Sequence, residues 1–291
     1  MPSPRARGFL WIAAAYLASL PVAWAVLAWL GPAVDRRWAV AGADVAATLV
    51  VFVFSAALNN SSVYDPYWSV APLAIAPYLA LGSGAEAAPV ARRVVVCVLV
   101  LFWGVRLTYN WARGFQGLAH EDWRYVDIRA KTGRAYWPAS LAALHLFPTV
   151  QVFLGCLPLF PALTSARPLG PLDVLAATVT LGAVLVETIA DEQLRSFRRS
   201  RRDGAIMNRG LWAYSRHPNY FGELGFWCGL FLFGLAADPS DLRCGVGVLA
   251  ITLMFVFASV PMLDRRSVAR RPAYAEHMKR VSMLVPWWPR R

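Results

Sequence analysis

Charged residues are scarce in this chain of 291. Asp, Glu, Lys and Arg make up 16% of it, whereas a soluble globular domain carries about a quarter. That deficit argues against a soluble fold from the outset. Cysteine is nearly absent as well. The four present (Cys97, Cys156, Cys228 and Cys244) show no CxxC spacing and stand among apolar neighbours, which leaves them as small buried hydrophobes. The four histidines are scattered and no HExxH occurs, so no metal site is expected. Flexible linkers, low-complexity tracts and internal repeats are missing too. Residues 1–291 therefore read as a single membrane domain.

What fills the chain is apolar: 58% of its residues are hydrophobic, and 13 are Trp. A membrane-spanning helix needs roughly 20 apolar residues. Runs of that kind fall near 8–31, 43–60, 66–82, 92–112, 138–161, 172–191, 221–237 and 243–263. The first follows a short basic start, as a signal peptide would. It is too long for one and no small-residue cleavage site closes it, so it reads as the first span. Charge placement tests the count independently. With eight spans and the N-terminus inside, the inner segments hold 22 Lys and Arg and the outer ones 6, with Arg106 inside the fourth span. The positive-inside rule then predicts an all-α integral membrane bundle of about eight helices with both termini cytoplasmic. The net charge of +12 follows from the same loops, which orient the helices and sit against anionic membrane lipids. A nucleic-acid partner is excluded, because the chain has no room for a basic folded domain with base-stacking aromatics.

Polar residues set into this background need a ligand, a partner or a reaction to account for them. At the end of the sixth run, VETIADEQLRSFRRSRR places Glu187, Asp191, Arg195 and Arg198 on one helical stripe, at spacings of four, four and three. As pure structure this is a ladder of ion pairs with snorkelling arginines. As function it is a polar wall leading to a cytosolic anion site, where Arg195, Arg198, Arg199, Arg201 and Arg202 suit phosphate oxygens. The stretch RGLWAYSRHPNYFGE, residues 209–223, holds Tyr214, Arg216, His217, Asn219 and Glu223. Pro218 suits the first turn of the seventh span, whose free N–H groups favour an anion. Asn219 and Glu223 lie one turn apart and share a face. Helix capping explains one of these polar residues, not five.

Two further groups stand out. HEDWRYVDIRAKTG, residues 120–133, reads either as an amphipathic segment on the membrane surface or as a lid over a cofactor. In NNSSVYDPYWS, residues 59–69, Asp65 enters the third run, and Tyr109 lies late in the fourth at the same depth. An acid and a phenol at one level could hydrogen-bond a substrate carbonyl, although an interfacial Tyr is also a common aromatic-belt residue.

Taken together, YDPYW, HEDWRY, ETIADEQLRSFRR, RGLWAYSRHPNYFGE and the tail RRPAYAEHMKRVSMLVPW make the chain resemble the steroid 5-alpha-reductase-like membrane family, in its bacterial DUF1295 branch. The resemblance spans about 60–288, and the long RGLWAYSRHPNYFGE match is its specific part. It implies NADPH-dependent reduction of a carbon–carbon double bond conjugated to a ketone, on a lipidic substrate, inside a helical bundle. By position it puts a cofactor-contacting acid at Asp191, an arginine at Arg198, an Asn and a Glu at Asn219 and Glu223, and an aromatic at Tyr214. It also implies a Glu–Tyr pair against the substrate ketone. The nearest counterparts here are Asp65, a shorter acid, and Tyr109. The N-terminal part holds one helix more than the steroid enzymes. The expected location is a bacterial inner membrane, with the cofactor site facing the cytoplasm.

Two rivals stand beside this expectation. RHPNY and the basic tail also resemble membrane methyltransferases of the isoprenylcysteine carboxyl type, which hold S-adenosylmethionine. ETIADEQLRSFRR and HEDWRY fit the reductases better, and Asp264 stands where such a methyltransferase more often has Glu. The other rival is a lipid-binding membrane protein that keeps the fold without the chemistry.

Overall fold

Apolar runs become helices because lipid offers the backbone no hydrogen-bond partner. The computed structural model describes residues 3–200 and 204–290. In it, α1 (Pro4–Leu30) starts where Ser3 Oγ accepts from the Ala6 N–H at 3.2 Å, with Pro4 in the first turn. α2 (Arg36–Ala57) is capped by Asp35, whose Oδ1 accepts from the Arg37 N–H at 2.8 Å. A turn through Asp65 leads into α3 (Tyr67–Leu81), and α4 (Val90–Gly114) returns. α5 (Trp123–Cys156) is a helical run interrupted at Gly133, where φ is 53°. Then follow a short α6 (Leu159–Thr164), α7 (Pro171–Ser200), α8 (Pro218–Ala237), α9 (Leu242–Arg270) and α10 (Tyr274–Arg280). Among the described residues there is no β-strand. A single parallel bridge joins Ser215 to Ser282.

Among the described residues, six helices (α1, α2, α5, α7, α8 and α9) are long and apolar enough to cross a membrane. The chain is thus an all-helical, multi-pass membrane protein. Two of the expected runs are not among the six. α3 has 15 residues, about 22 Å of helix against a hydrocarbon core of roughly 30 Å. α4 carries Arg92, Arg93, Arg106 and Arg113. Both nevertheless run between the same two ends of the bundle. At one end Arg37 pairs with Asp241 at 2.7 Å, Arg92 with Asp173 at 2.6 Å, and Arg93 reaches the Ala80 carbonyl at 3.1 Å. At the other, Arg5 donates to the Ala112 carbonyl at 2.8 Å, Arg113 pairs with Glu192, and Arg266 lies 3.7 Å over the Trp123 ring. The hydrophilic stretches 113–137, 192–200 and 204–220 and the tail meet at this second end. Leu10, Trp24, Trp29 and Phe257 are exposed, an aggregation hazard in water and a natural fit to lipid.

The closest helix pair is α7 with α8, and small residues allow it. A Cβ on Gly222 would sit 2.7 Å from Glu187 Cβ and 2.8 Å from the Ala183 carbonyl oxygen, and one on Gly225 would meet Ala183 Cβ at 2.8 Å. α4 closes over them, with Trp103 stacked on Phe226 at 4.2 Å and edge-on to Trp227 at 5.2 Å. This packing brings the acids of α7 beside Asn219 and Glu223.

Candidate functional site

At the end where the hydrophilic segments meet, a cavity of about 840 Å³ opens between α3, α4, α5, α7, α8 and α9. That is within the usual range for a small-molecule site. One side of it is built by two buried turns. Asn60 Oδ1 accepts from the Ser62 N–H at 2.8 Å, and its amide donates to the Leu118 and His120 carbonyls at 2.8 and 3.1 Å. The Ser61 N–H donates to Glu121 at 2.8 Å. These bonds seat 115–122 against 59–66 and swing the start of α5 over the cavity, so Tyr125 and Ile128 line it. The HEDWRY segment therefore forms part of the cavity wall. There the Tyr125 hydroxyl donates to Asp65 Oδ1 at 2.5 Å. Burial pushes the Asp65 carboxyl up from its ordinary 3.8 to about 6, against the opposing pull of the Tyr125 hydrogen bond and the Arg124 charge.

The opposite wall is acidic. Arg106 on α4 bridges Glu187 at 2.5 Å and Asp191 at 2.9 Å, and Asn110 adds a hydrogen bond to Asp191 at 2.9 Å. The Glu223 carboxylate receives two indole N–H bonds, from Trp103 and Trp227, each 2.9 Å. Three carboxyl groups thus face one guanidinium. Glu187 Oε2 and Asn219 Oδ1 are buried and receive no hydrogen bond within the described residues. Both residues line the cavity, and these two buried oxygens stand in its wall without a hydrogen bond.

The structure brings Asp65, Glu187, Asp191, Asn219 and Glu223 into this one cavity and leaves Tyr109, Arg195, Arg198, Tyr214, Arg216 and His217 outside its wall. Tyr109 lies 60% exposed on the far side of α4 with Arg113 4.7 Å over its ring; the phenol beside Asp65 is Tyr125. Arg216 and His217 are buried against Asp264, at 2.6 and 3.0 Å, and the Tyr274 hydroxyl donates to the same carboxylate at 3.2 Å. Tyr214 stacks edge-on with Trp288 at 5.3 Å. Arg195 is half-buried and Arg198 exposed, one and two turns beyond Asp191; Arg201 and Arg202 lie outside the described residues. The guanidinium on the cavity wall is instead Arg124, held by Asp122 at 2.8 Å.

Several site residues escaped sequence reading. Trp103, Arg106 and Asn110 stand three and four residues apart on one face of α4, and a lone arginine inside an apolar run already demands a partner. That signal was available. Tyr125 gave none, because its approach to Asp65 depends on how two loops dock.

A family profile for proteins of unknown function, DUF1295, matches residues 51–281. An uncharacterized protein of Schizosaccharomyces pombe is 26% identical over 253 residues, covering 78% of this chain and 73% of that protein. No solved structure matches. The chain belongs to the DUF1295 family, the steroid 5-alpha-reductase-like membrane proteins.

Proposed function

We propose that this protein is an NADPH-dependent membrane reductase of a carbon–carbon double bond conjugated to a ketone in a lipidic substrate. The observation that carries the reading is one cavity with an acid–phenol pair, Asp65 and Tyr125, on one side and the Glu187, Asp191, Asn219 and Glu223 wall on the other. The orphaned acceptors on Glu187 and Asn219 suit the N–H and O–H donors of a nicotinamide amide and ribose. Arg124 on the wall carries a guanidinium of the kind that suits phosphate oxygens. When bound, NADPH supplies the hydride. Asp65 and Tyr125 hold a proton where a ketone oxygen can accept it, stabilising the negative charge that grows there as the β-carbon is reduced. Leu107, Phe147 and Met254 keep the rest of the cavity apolar. The excess of Lys and Arg in the loops at this end supports a cytoplasmic orientation in a bacterial inner membrane.

One observation favours a second reading. Carboxyl groups outnumber guanidinium groups on the α7–α8 wall, which suits the sulfonium cation of S-adenosylmethionine in a methyltransferase. Thermal stabilisation of the purified protein by NADPH, NADH and S-adenosylmethionine, run in parallel, separates the two. A ligand at 100 times its Kd stabilises by about 2.7 kcal/mol, an easily read shift. A response to NADPH is expected; a response to S-adenosylmethionine alone would overturn the reductase.

A further inference from the structure

After α10 the chain ends on large apolar side chains that the bundle does not cover. Val285, Trp287 and Trp288 are exposed at 56%, 69% and 74%. Their backbone is nevertheless held in place. The Trp287 N–H donates to the Tyr214 carbonyl at 3.0 Å, and the Arg290 N–H to the Arg280 carbonyl at 2.9 Å. Tyr214, itself partly exposed, meets the Trp288 ring edge-on at 5.3 Å. None of these four side chains lines the cavity, so their exposure is on the outside of the protein. Positive charge surrounds them. From Arg265 to Arg290 the chain carries seven Lys or Arg against one carboxylate, Glu276, and Lys279 pairs with that one at 2.7 Å. Arg280 and Arg290, joined through the backbone, are both exposed, and so is Arg209.

We propose that the strap 285–290 is an interfacial foot that rests on anionic lipid headgroups. Its depth fits. The strap is bonded to Tyr214, and α8, a helix of membrane-spanning length, starts at Pro218. That places it at the level where hydrocarbon gives way to headgroups. Trp is at home there, because its ring is apolar and its indole N–H still finds a polar partner. Arg280 and Arg290 stand beside the Trp residues, where a guanidinium can pair with a lipid phosphate through two hydrogen bonds. An anionic leaflet attracts such basic residues, and the attraction adds up over a cluster. A soluble partner would have to bring both an apolar recess and acidic groups to this strap. An anionic bilayer supplies both at a place the strap already occupies. The foot asks more than the excess of positive charge in the loops, which orients helices without any exposed Trp. It is independent of the chemistry in the cavity, and it adds an outer hold on the segment that leads into α8.

The test is hydroxyl-radical footprinting of the full-length protein in lipid nanodiscs, read by mass spectrometry at Trp287 and Trp288. One set of discs is made of phosphatidylcholine alone, the other of phosphatidylcholine mixed with phosphatidylglycerol. Both Trp residues are expected to oxidise several-fold more slowly in the mixed discs. Arg280→Glu combined with Arg290→Glu should remove that difference. Both side chains are exposed, and the comparison of the two discs stands on the unaltered protein should the double variant fail to fold. Inorganic phosphate added to the phosphatidylcholine discs should not reproduce the protection; if it does, the strap binds free anions and the lipid foot is overturned. Slow oxidation that is equal in the two discs overturns the anionic preference. Oxidation in both discs at the rate of free tryptophan overturns the foot altogether, and leaves a strap that faces water and suits a soluble partner.

Discussion

In the proposed reduction, Asp65 is the residue on which the chemistry turns. Its carboxyl sits at about 6 instead of 3.8, so the protonated form persists into mildly acidic solution and is lost as pH rises through about 6. Enone reduction that relies on this proton should slow over the same interval. In Asp65→Asn that limb of the pH–rate profile should vanish, and a profile unchanged by the substitution removes Asp65 from the mechanism. The same shift has a stability sign. Between 3.8 and about 6 the folded state holds a proton that the unfolded chain has released, so stability falls as pH rises across that window. Asp65→Asn should flatten that fall in Tm. Tyr125→Phe should reduce kcat by roughly 10²–10⁴, the usual range for a lost acid–base partner, whereas Tyr109→Phe should leave turnover alone. The contrast shows what a sequence can reveal at this scale. Asp65, Asp191, Asn219 and Glu223 are legible, because polar residues in apolar runs need a reason. The choice between Tyr109 and Tyr125 is not, since matching depth in two predicted spans says nothing about which way a ring points.

At the scale of elements, apolar runs translate into helices and their centres fall where the sequence places them. Their ends do not. α5 begins at Trp123 rather than near 138, and α9 continues to Arg270 rather than 263, because a helix keeps its backbone bonds into water as long as the side chains permit. The π-helical turns in α5 and α9, Leu141–Leu146 and Phe255–Ser259, are invisible too, since LAALHL and FVFAS continue an ordinary apolar pattern. The α7–α8 seam is legible only in hindsight: glycines at 222, 225 and 229 mark it, and the partner they admit has to be seen. Gly222→Ala tests the seam. With its Cβ 2.7 Å from Glu187 Cβ, the helices must part or Glu187 must shift. Overpacking of that kind costs about 1–3 kcal/mol. A lower Tm in detergent is expected, together with weaker stabilisation by NADPH as the acid wall moves. If Tm and NADPH response both match the parent, the seam is looser than the contact implies.

Over the whole molecule, one carboxylate ties together parts far apart in sequence. Asp264, near the end of α9, binds Arg216 and His217 just before α8 and accepts from Tyr274 at the start of α10. The tail then returns along the same segment. The Arg216 N–H donates to the Ser282 carbonyl at 2.9 Å, Ser215 Oγ to the Leu284 carbonyl at 2.7 Å, and the Trp287 N–H to the Tyr214 carbonyl at 3.0 Å. Polar residues that sequence reading assigns to a cofactor therefore serve, through Arg216, His217 and Tyr214, to lock the tail under α8. The motif is dense because it does two jobs: one face holds the tail, and Asn219 and Glu223 reach the cavity. Asp264→Ala would leave Arg216 buried and unpaired, and breaking a buried pair from one side costs about 3–5 kcal/mol. The expected result is a lower Tm and rapid protease cleavage after Arg270, with Asp264→Asn intermediate because it keeps the shape and one acceptor. If the tail of Asp264→Ala stays protected, its backbone bonds to 214–216 hold it unaided. Arg216 and His217 would then be free for a ligand after all, which is the role the sequence first suggests for them.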